Sequence, residues 1–206
     1  MICLIHTTPR SMSKNHLSKA SIFLIIIFCT SSPLYADQIN TATPGGSNVG
    51  YGGVALSRID GGVQNTGVGY GALERHTSGD FNTAIGWASM NANTTGAQNT
   101  ALGVSSLVNN TSASNNVGIG FQAVNNNTTG ASNTGIGTQA LQRNTTASNN
   151  TAVGFQSLDH NTTGTDNIGI GVSALGANTT GDRNTSVGNS SLVTNTTGQN
   201  NSSFGF

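Results

Sequence analysis

Ser157, Asp159 and His160 are the residue types of a hydrolase triad, and they lie within four consecutive positions. In a working triad the nucleophile, the base and the orienting acid meet in a defined three-dimensional arrangement. Residues this close in the sequence do not converge in that geometry. His76 and His160 also lack neighbouring ligands, whereas a metal site needs several ligands close together. We therefore predict a non-enzymatic protein with no catalytic residue and no metal ion.

A second candidate for chemistry is the dinucleotide-binding fingerprint, which Gly169, Gly171 and Ala174 match as G-x-G-x-x-A. A genuine fingerprint occurs once, between a strand and a helix, in a unit of about 30 residues. Here the same letters return every 17 residues with no helical pattern after them. We interpret these glycines as structural and predict no cofactor.

The elements that carry these residues are copies of one 17-residue repeat. Its consensus is N-T-[AG]-[VI]-G-[FY]-x-[AS]-L-x-x-N-T-T-G-x-x, and repeat positions are numbered below from its first Asn. Self-similarity at a fixed period is typical of solenoids, in which each repeat packs on its neighbours. Nine full copies begin at Asn48, Asn65, Asn82, Asn99, Asn116, Asn133, Asn150, Asn167 and Asn184, and an incomplete terminal coil covers residues 201–206.

Each part of the repeat predicts a structural element. Positions 1–6 predict a short strand with two different faces, because side chains alternate along a strand. The x-[AS]-L segment predicts a second short strand, and NTTG predicts the turn that closes the coil. The predicted fold class is therefore all-β, a β-solenoid (β-roll) of about nine coils over residues 48–200. Rows of Asn at positions 1 and 12 are expected to form hydrogen bonds from coil to coil.

The apolar positions 4 and 9 predict the core of this solenoid. The predicted core residues at position 4 are Val68, Ile85, Leu102, Ile119, Ile136, Val153, Ile170 and Val187. Those at position 9 are Leu73, Leu107, Leu141, Leu158, Leu175 and Leu192.

The first residues of the chain predict export. Residues 1–36 place Arg10, Lys14 and Lys19 ahead of the short apolar run 20–29, which is typical of a Sec signal peptide. A short linker, residues 37–47, follows it. We expect a protein at the cell surface or outside the cell, or in the periplasm if it is not secreted further.

The composition after the leader excludes other classes. The remaining chain has no cysteine and carries four arginines against seven acidic residues, a net charge of −3. Nucleic acid is excluded as a partner, because phosphate binding needs concentrated Lys and Arg. No further apolar segment predicts a membrane span in the mature chain.

The energetics of one coil predict self-association. Three sizeable apolar side chains per coil contribute about 5–8 kcal/mol if fully buried. Ordering the backbone of one coil costs on the order of 17–34 kcal/mol. We therefore predict a parallel homotrimer in which the Gly/Ala face or the aromatic position 6 supplies the contact.

Segments such as NTAVGFQSL, NTGIGTQAL and NIGIGVSAL resemble the head repeats of YadA-type trimeric autotransporter adhesins. The resemblance covers about residues 48–206. It implies a trimeric β-roll head that is exposed at the bacterial surface and binds host matrix or cell-surface molecules.

The leading functional prediction is therefore an exported, adhesin-like binding module that acts through its repetitive outer surface. The exposed loop positions 10, 11 and 14–17 are expected to contact the partner, including Arg75, Arg143, His160 and Arg183. Two alternatives remain. One is a structural rod or spacer, such as a phage-fibre-like or truncated adhesin remnant. The other is an ice-binding solenoid that uses its rows of Thr.

Overall fold

The computed structural model describes residues 47–206. The predicted signal peptide and most of the predicted linker lie outside the described residues. Ten strands of three residues each form one parallel sheet, in which every strand pairs with the next along the chain. They are β1 (Val49–Tyr51), β2 (Thr66–Val68), β3 (Thr83–Ile85), β4 (Thr100–Leu102), β5 (Val117–Ile119), β6 (Thr134–Ile136), β7 (Thr151–Val153), β8 (Ile168–Ile170), β9 (Thr185–Val187) and β10 (Ser202–Phe204).

Each strand pairs with the strand of the next coil, so that residues at the same repeat position lie opposite each other. Thr83 lies opposite Thr100, and Ile85 lies opposite Leu102. Each crossover between strands is therefore one turn of a coil, and the predicted all-β solenoid of about nine coils is confirmed. With neighbouring rungs about 4.8 Å apart, the ten rungs extend over about 43 Å. None of the described residues forms a helix of the length and apolarity that a membrane crossing requires.

Positions 6–11 form consecutive turns, so the prediction of a second strand is wrong. Positions 7 and 9 have a left-handed backbone in almost every coil, as at Gln139 (φ 60°) and Leu141 (φ 52°), which lies outside the β region. The N–H of Ala140 bonds to the carbonyl of Gly137 within the same coil, as in a tight turn. The N–H groups of Gln139 and Leu141 bond to the preceding and the following coil, at Phe121 and Ser157. This segment therefore holds the stack together without being a strand.

The core of each coil is thin. It contains the side chains of positions 3, 8 and 9, flanked by buried Asn at positions 1 and 12. The position 9 side chains are its largest members, and Leu73, Leu107, Leu141, Leu158 and Leu175 are fully buried. Leu192 is partly buried and packs against the same cluster.

Position 4 lies on the outside of the single chain, so the prediction that it forms the core is wrong. A Cβ atom added to Gly67, at position 3, would lie 3.2 Å from the carbonyl oxygen of Ala72 and 3.3 Å from Leu56. The space between the walls accepts only Gly, Ala or Ser, so the small residue of the strand turns inward and its aliphatic neighbour turns outward. The side chains concerned are half-buried or exposed: Val68, Ile85, Leu102, Ile119, Ile136, Val153, Ile170 and Val187.

The glycine at position 5 allows adjacent coils to approach closely. Gly137 has φ of 131°, and a Cβ atom there would lie 2.5 Å from the carbonyl oxygen of Gly154 in the next coil. A side chain at this position would have to displace backbone. Position 5 is therefore fixed as Gly by both its dihedral angle and its contact.

Two rows of buried asparagines join the coils, as predicted. At position 1, the side-chain oxygen of Asn133 accepts a 3.0 Å bond from the N–H of Asn150, and its amide donates to the carbonyl of Ala147 at 2.8 Å. At position 12, the amide of Asn144 donates to Asn127 Oδ1 and to the carbonyl of Ala147, each at 2.9 Å. Both rows run in one direction, because the later Asn donates to the side-chain oxygen of the earlier one, from its backbone N–H at position 1 and from its side-chain amide at position 12.

Candidate functional site

Each coil has two walls that face each other across the core. The hydroxyl of Ser106, at position 8, donates to the carbonyl of Gly118, at position 3 of the next coil, over 2.8 Å. Ser157 makes the same bond to Gly169 over 2.7 Å. The side chains of positions 2 and 4 therefore point outward from the strand wall. Those of positions 10 and 11 point outward from the opposite wall, which we call the turn wall.

Apolar side chains are concentrated along one surface, which we call the apolar ribbon and define as positions 4 and 6 of the successive coils. Tyr70, Trp87 and Phe121 at position 6 expose 58%, 56% and 47% of their area, and Leu102 at position 4 exposes 46%. Positions 2, 4 and 6 carry no charged residue in any coil. Large exposed apolar patches typically mark interaction sites.

The apolar ribbon accounts for most of the exposed apolar surface of the described chain. Among the large apolar side chains that are exposed there, only Val54 and Phe81 lie outside positions 2, 4 and 6. The Gly/Ala face, in contrast, is buried inside each coil. It therefore cannot supply the contact between chains that the sequence analysis assigned to it, and the aromatic position 6 is left as the available surface.

The four residues predicted to contact a partner are all exposed but do not form one site. Arg75, Arg143 and His160 share position 11 on the turn wall. Arg143 and His160 belong to adjacent coils, whereas Arg75 lies four coils before Arg143. Arg183 lies at position 17, where its guanidinium donates to Gln199 over 3.3 Å.

The turn wall contains an open depression of about 220 Å³, which we call the notch. It is lined by Gln156, Asp159, His160, Ser173, Gly176, Ala177 and Val193. Gly176 and Ala177 occupy positions 10 and 11, where the preceding coil carries Asp159 and His160. The notch therefore results from two side chains that are small in one coil and large in its neighbour.

Asp159 is the unusual residue of the notch. The residue is 5% exposed and its side chain 8%, and Oδ1 has no hydrogen-bond partner among the described residues. Burial raises the pKa of Asp159 above its ordinary value of 3.8, and the nearby His160 and Arg143 oppose that shift. Oδ2 lies 3.2 Å from Nδ1 of His160. One side of this carboxylate is therefore held in place while the other lacks a donor.

A ladder of side-chain amides leads to the notch along position 7. The amide of Gln156 donates to Gln139 Oε1 over 3.0 Å, and the amide of Gln139 lies 3.5 Å from Gln122 Oε1. The ladder stops where position 7 becomes Ser173. The side-chain oxygen of Gln156 is thus the last acceptor of the series.

Ser157, Asp159 and His160 do not form a nucleophile and base pair. The Ser157 hydroxyl is buried inside the coil and donates to Gly169, whereas His160 lies on the outside with 47% of its side chain exposed. Among residues 47–206, no three His, Cys, Asp or Glu side chains are grouped in a way that could hold a metal ion.

The two Thr residues of the NTTG turn have different environments. The position 13 hydroxyls donate to the carbonyl of position 13 in the next coil, as from Thr128 to Thr145 over 3.0 Å. Position 14, with Thr129 and Thr146, forms an exposed row of hydroxyls. The position 2 row is interrupted by Val117 and Ile168. One uninterrupted row of exposed hydroxyls is therefore present.

Position 16 has a role that the sequence analysis missed. Asp182 accepts a 2.7 Å bond from the N–H of Thr165 in the coil before it, and Ser114 does the same for Ala97 over 3.0 Å. These acceptors occur in every second coil from Asp80 onward. The available signal was this alternation, which doubles the period of the repeat at one position.

No family model matches the chain, and no curated protein or solved structure is significantly similar to it. The resemblance to YadA-type head repeats therefore stays a prediction from the repeat itself. What the structure establishes is a β-solenoid repeat fold, which is compatible with a structural or binding module.

Proposed function

We propose that this chain is a non-enzymatic, exported binding module of the bacterial surface that assembles as a parallel homotrimer through the apolar ribbon. The observation that carries the proposal is the ribbon itself, an apolar and aromatic surface without charge along the full stack of coils. In a single chain this surface is in contact with water. Its burial between copies supplies the apolar area that a thin coil lacks.

A parallel arrangement is favoured by the regular rungs. When copies align in phase, each coil meets the same coil of its neighbours, so aromatic rungs such as Trp87 and Phe121 meet their equivalents. A closed rotational arrangement also uses the same ribbon in every copy and leaves no unpaired ribbon. The trimeric state follows the resemblance to the adhesin heads.

Assembly leaves the turn wall and the loop positions 14–17 on the outside. These surfaces carry the variable residues, among them Arg143, His160 and Arg183. Weak contacts repeated on three chains add through multivalency. We infer that the ligand is a surface or matrix molecule that is itself repetitive.

The mass of the protein in solution tests the assembly. Protein purified from cells that express the full chain is examined by light scattering and sedimentation, beside a variant with Ile119→Asn and Ile136→Asn. We expect a trimer for the original chain and a folded, smaller species for the variant. Thr146→Asn, on the exposed position 14, is the matched control and should remain trimeric. A stable monomer of the original chain would overturn the proposal.

A structural rod is the second candidate, and the two continuous Asn rows favour it because they stiffen the stack. Immobilised matrix proteins and cells distinguish the candidates. An adhesin binds them and loses binding when Arg143 and His160 are replaced by Ala, whereas a rod binds neither. Thermal hysteresis or ice shaping would instead indicate that the exposed Thr row binds ice.

A further inference from the structure

We propose that the notch on the turn wall binds the guanidinium group of an arginine side chain from a partner protein. The inference goes beyond self-assembly and identifies the chemistry of one contact on the outer surface. It depends on the shape of the notch, on the acceptors around it and on its apolar floor.

The shape of the notch admits one side chain. Gly176 and Ala177 leave a gap at positions 10 and 11, next to the larger Asp159 and His160 of the coil before. Val193 of the following coil closes the far side. The opening of about 220 Å³ holds a headgroup with part of its stem.

Among the described residues, no lysine or arginine forms an ion pair with the acceptors of the notch, although Arg143 is near enough to lower the pKa of Asp159. Asp159 is 95% buried, given its exposure of 5%, and its Oδ1 is without a partner. Within the described residues its one ion-pair contact is His160, at 3.2 Å from Oδ2. The amide of Gln156 is used by Gln139, which leaves the Gln156 side-chain oxygen as an acceptor. A planar cation with several N–H donors would pair with the Asp159 carboxylate, which lines the notch, and would donate to the Gln156 oxygen at the same time.

His160 holds the carboxylate and does not fill the free position. Its Nδ1 lies 3.0 Å from the carbonyl oxygen of Gly176 and 3.2 Å from Asp159 Oδ2. Both neighbours are acceptors, so Nδ1 carries the proton and donates to them. The imidazole therefore fixes one carboxylate oxygen, whereas Oδ1 is enclosed by the chain and has no donor among the described residues.

Guanidinium matches this arrangement better than the other cations. It is planar and presents five N–H donors, so it can reach Asp159 and Gln156 at once, whereas an ammonium group acts as a compact point charge. The methylene stem of an arginine packs on apolar surface while its head stays polar. Gly176, Ala177 and Val193 provide such a surface. Within residues 47–206, no third His, Cys, Asp or Glu joins Asp159 and His160 to hold a metal ion.

The position of the notch keeps it accessible. Positions 10 and 11 point outward from the turn wall, on the opposite side of the core from the strand positions of the apolar ribbon. Trimerisation through the ribbon therefore leaves one notch open on each chain.

The test is a titration of the full-chain product with N-acetyl-arginine amide, followed by 1H–15N NMR. We expect saturable shifts at His160, Ser173, Gly176 and Ala177, and a fall in the pKa of Asp159 as the cation binds. N-acetyl-citrulline amide has the same shape without the charge, and should shift these signals at least tenfold less. Equal shifts with both compounds would overturn the proposal.

Two variants and one control connect the binding to the notch. Asp159→Asn removes the charge, and Gly176→Gln fills the gap with a residue that position 10 already holds as Gln142. Each should weaken binding at least tenfold without loss of the folded state. Asp166→Asn makes the same charge change at an exposed site outside the notch and should bind as the original does. Unchanged binding by Asp159→Asn would contradict the assignment.

The same samples separate this proposal from the assembly proposal. The variant with Ile119→Asn and Ile136→Asn should dissociate and still bind the arginine probe. Asp159→Asn and Gly176→Gln should lose the probe and stay trimeric. A failure of one result therefore leaves the other intact.

Discussion

His76 replaces an asparagine in the buried position 12 row, and its Nδ1 accepts a 3.0 Å hydrogen bond from the side-chain amide of Asn93. Its Nε2 lies 2.7 Å from the carbonyl oxygen of Gly79. A carbonyl only accepts, so Nε2 carries the proton and the ring is neutral. Burial lowers the pKa of His76 below its ordinary value of 6.5, although Gly79 and Asp80 oppose the shift. The row is thus continued by a side chain that fits only when uncharged.

We predict that His76 makes the solenoid sensitive to acid. As the pH falls below 6.5, the unfolded chain takes up a proton at His76 while the folded chain resists it, so the free energy of unfolding decreases. The stabilisation by the neutral His76 is fully present above pH 6.5, the ordinary pKa of histidine. It is lost as the pH falls from 6.5 to the lowered pKa of His76 in the folded state. Each pH unit within that window costs about 1.4 kcal/mol. Urea unfolding between pH 5 and 8 measures the slope.

The variant His76→Asn completes the Asn row and should remove this slope. His160→Asn, an exposed histidine in the same solenoid, should retain it. If the slopes of the original chain and His76→Asn agree, His76 is not the source.

Asp159→Asn is predicted to stabilise the protein at neutral pH by about 1–2 kcal/mol, because a buried carboxylate oxygen without a donor is costly. The raised pKa of Asp159 means that its favourable protonated form is complete below pH 3.8 and is lost as the pH rises through the folded-state pKa. The advantage of the variant should therefore shrink on acidification. Thermal unfolding at pH 7 and pH 4 measures it.

The control is the reverse substitution at position 10 of another coil, where the natural residue is Asn125. In another coil, Asn125 donates to the carbonyl of Ser105 over 3.0 Å. Asn125→Asp should lose that bond, place a carboxylate beside a carbonyl, and lower the melting temperature at pH 7. A lower melting temperature for Asp159→Asn would show that the carboxylate has a donor.

Asn133→Ala is predicted to destabilise the stack by about 2–4 kcal/mol. The change leaves the buried N–H of Asn150 without a partner, which costs about 1–3 kcal/mol. It also removes one of the two bonds to the carbonyl of Ala147, which keeps its bond from Asn144, at a cost of about 1 kcal/mol. Thr146 lies on the outside of the same coil. The control variant Thr146→Ala should therefore change the free energy of unfolding by less than about 0.5 kcal/mol. Denaturant unfolding of both variants gives the comparison, and similar values would mean that the Asn row contributes little.

Gly137→Ala is predicted to prevent normal stacking of its coil. The new Cβ would lie 2.5 Å from the carbonyl oxygen of Gly154, at a φ of 131°. Gly61→Ala is the control, because its Cβ would have Ser78 at 4.0 Å as its nearest neighbour. Circular dichroism and expression in the soluble fraction compare the two. Wild-type stability for Gly137→Ala would contradict the close approach.

The repeat period predicts most of the fold, because residues at one repeat position share one environment throughout the stack. The Asn rows follow directly from it, and so does a strand early in the repeat, although that strand covers positions 2–4 where positions 1–6 were predicted. The alternation along the strand shows that Gly67 and Val68 face opposite sides, but not which side is inside. That choice depends on the distance between the walls, which becomes visible only where Gly67 meets Leu56.

Two other features were beyond the sequence. Leu141 is a residue for which a left-handed backbone is unfavourable, so no residue preference indicated the turns at positions 7–9. The notch arises because Gly176 and Ala177 are smaller than the residues at the same positions in the preceding coil. Only the stacked coils show which other residues border the resulting gap. His160 was predicted as an exposed contact residue and is exposed, whereas position 10 was also predicted to be exposed and the structure buries its residue Asp159.

The one-directional Asn rows have a consequence for how such a protein changes length. Every coil offers the next one the same carbonyl and amide groups, so an in-frame duplication or deletion of one whole repeat joins two surfaces that already match. The position 16 acceptors alternate between coils, so a change of two repeats keeps those bonds in phase as well. Unequal recombination of the gene can therefore add or remove repeats. The length of the solenoid changes with each such event, so selection can act on that length directly.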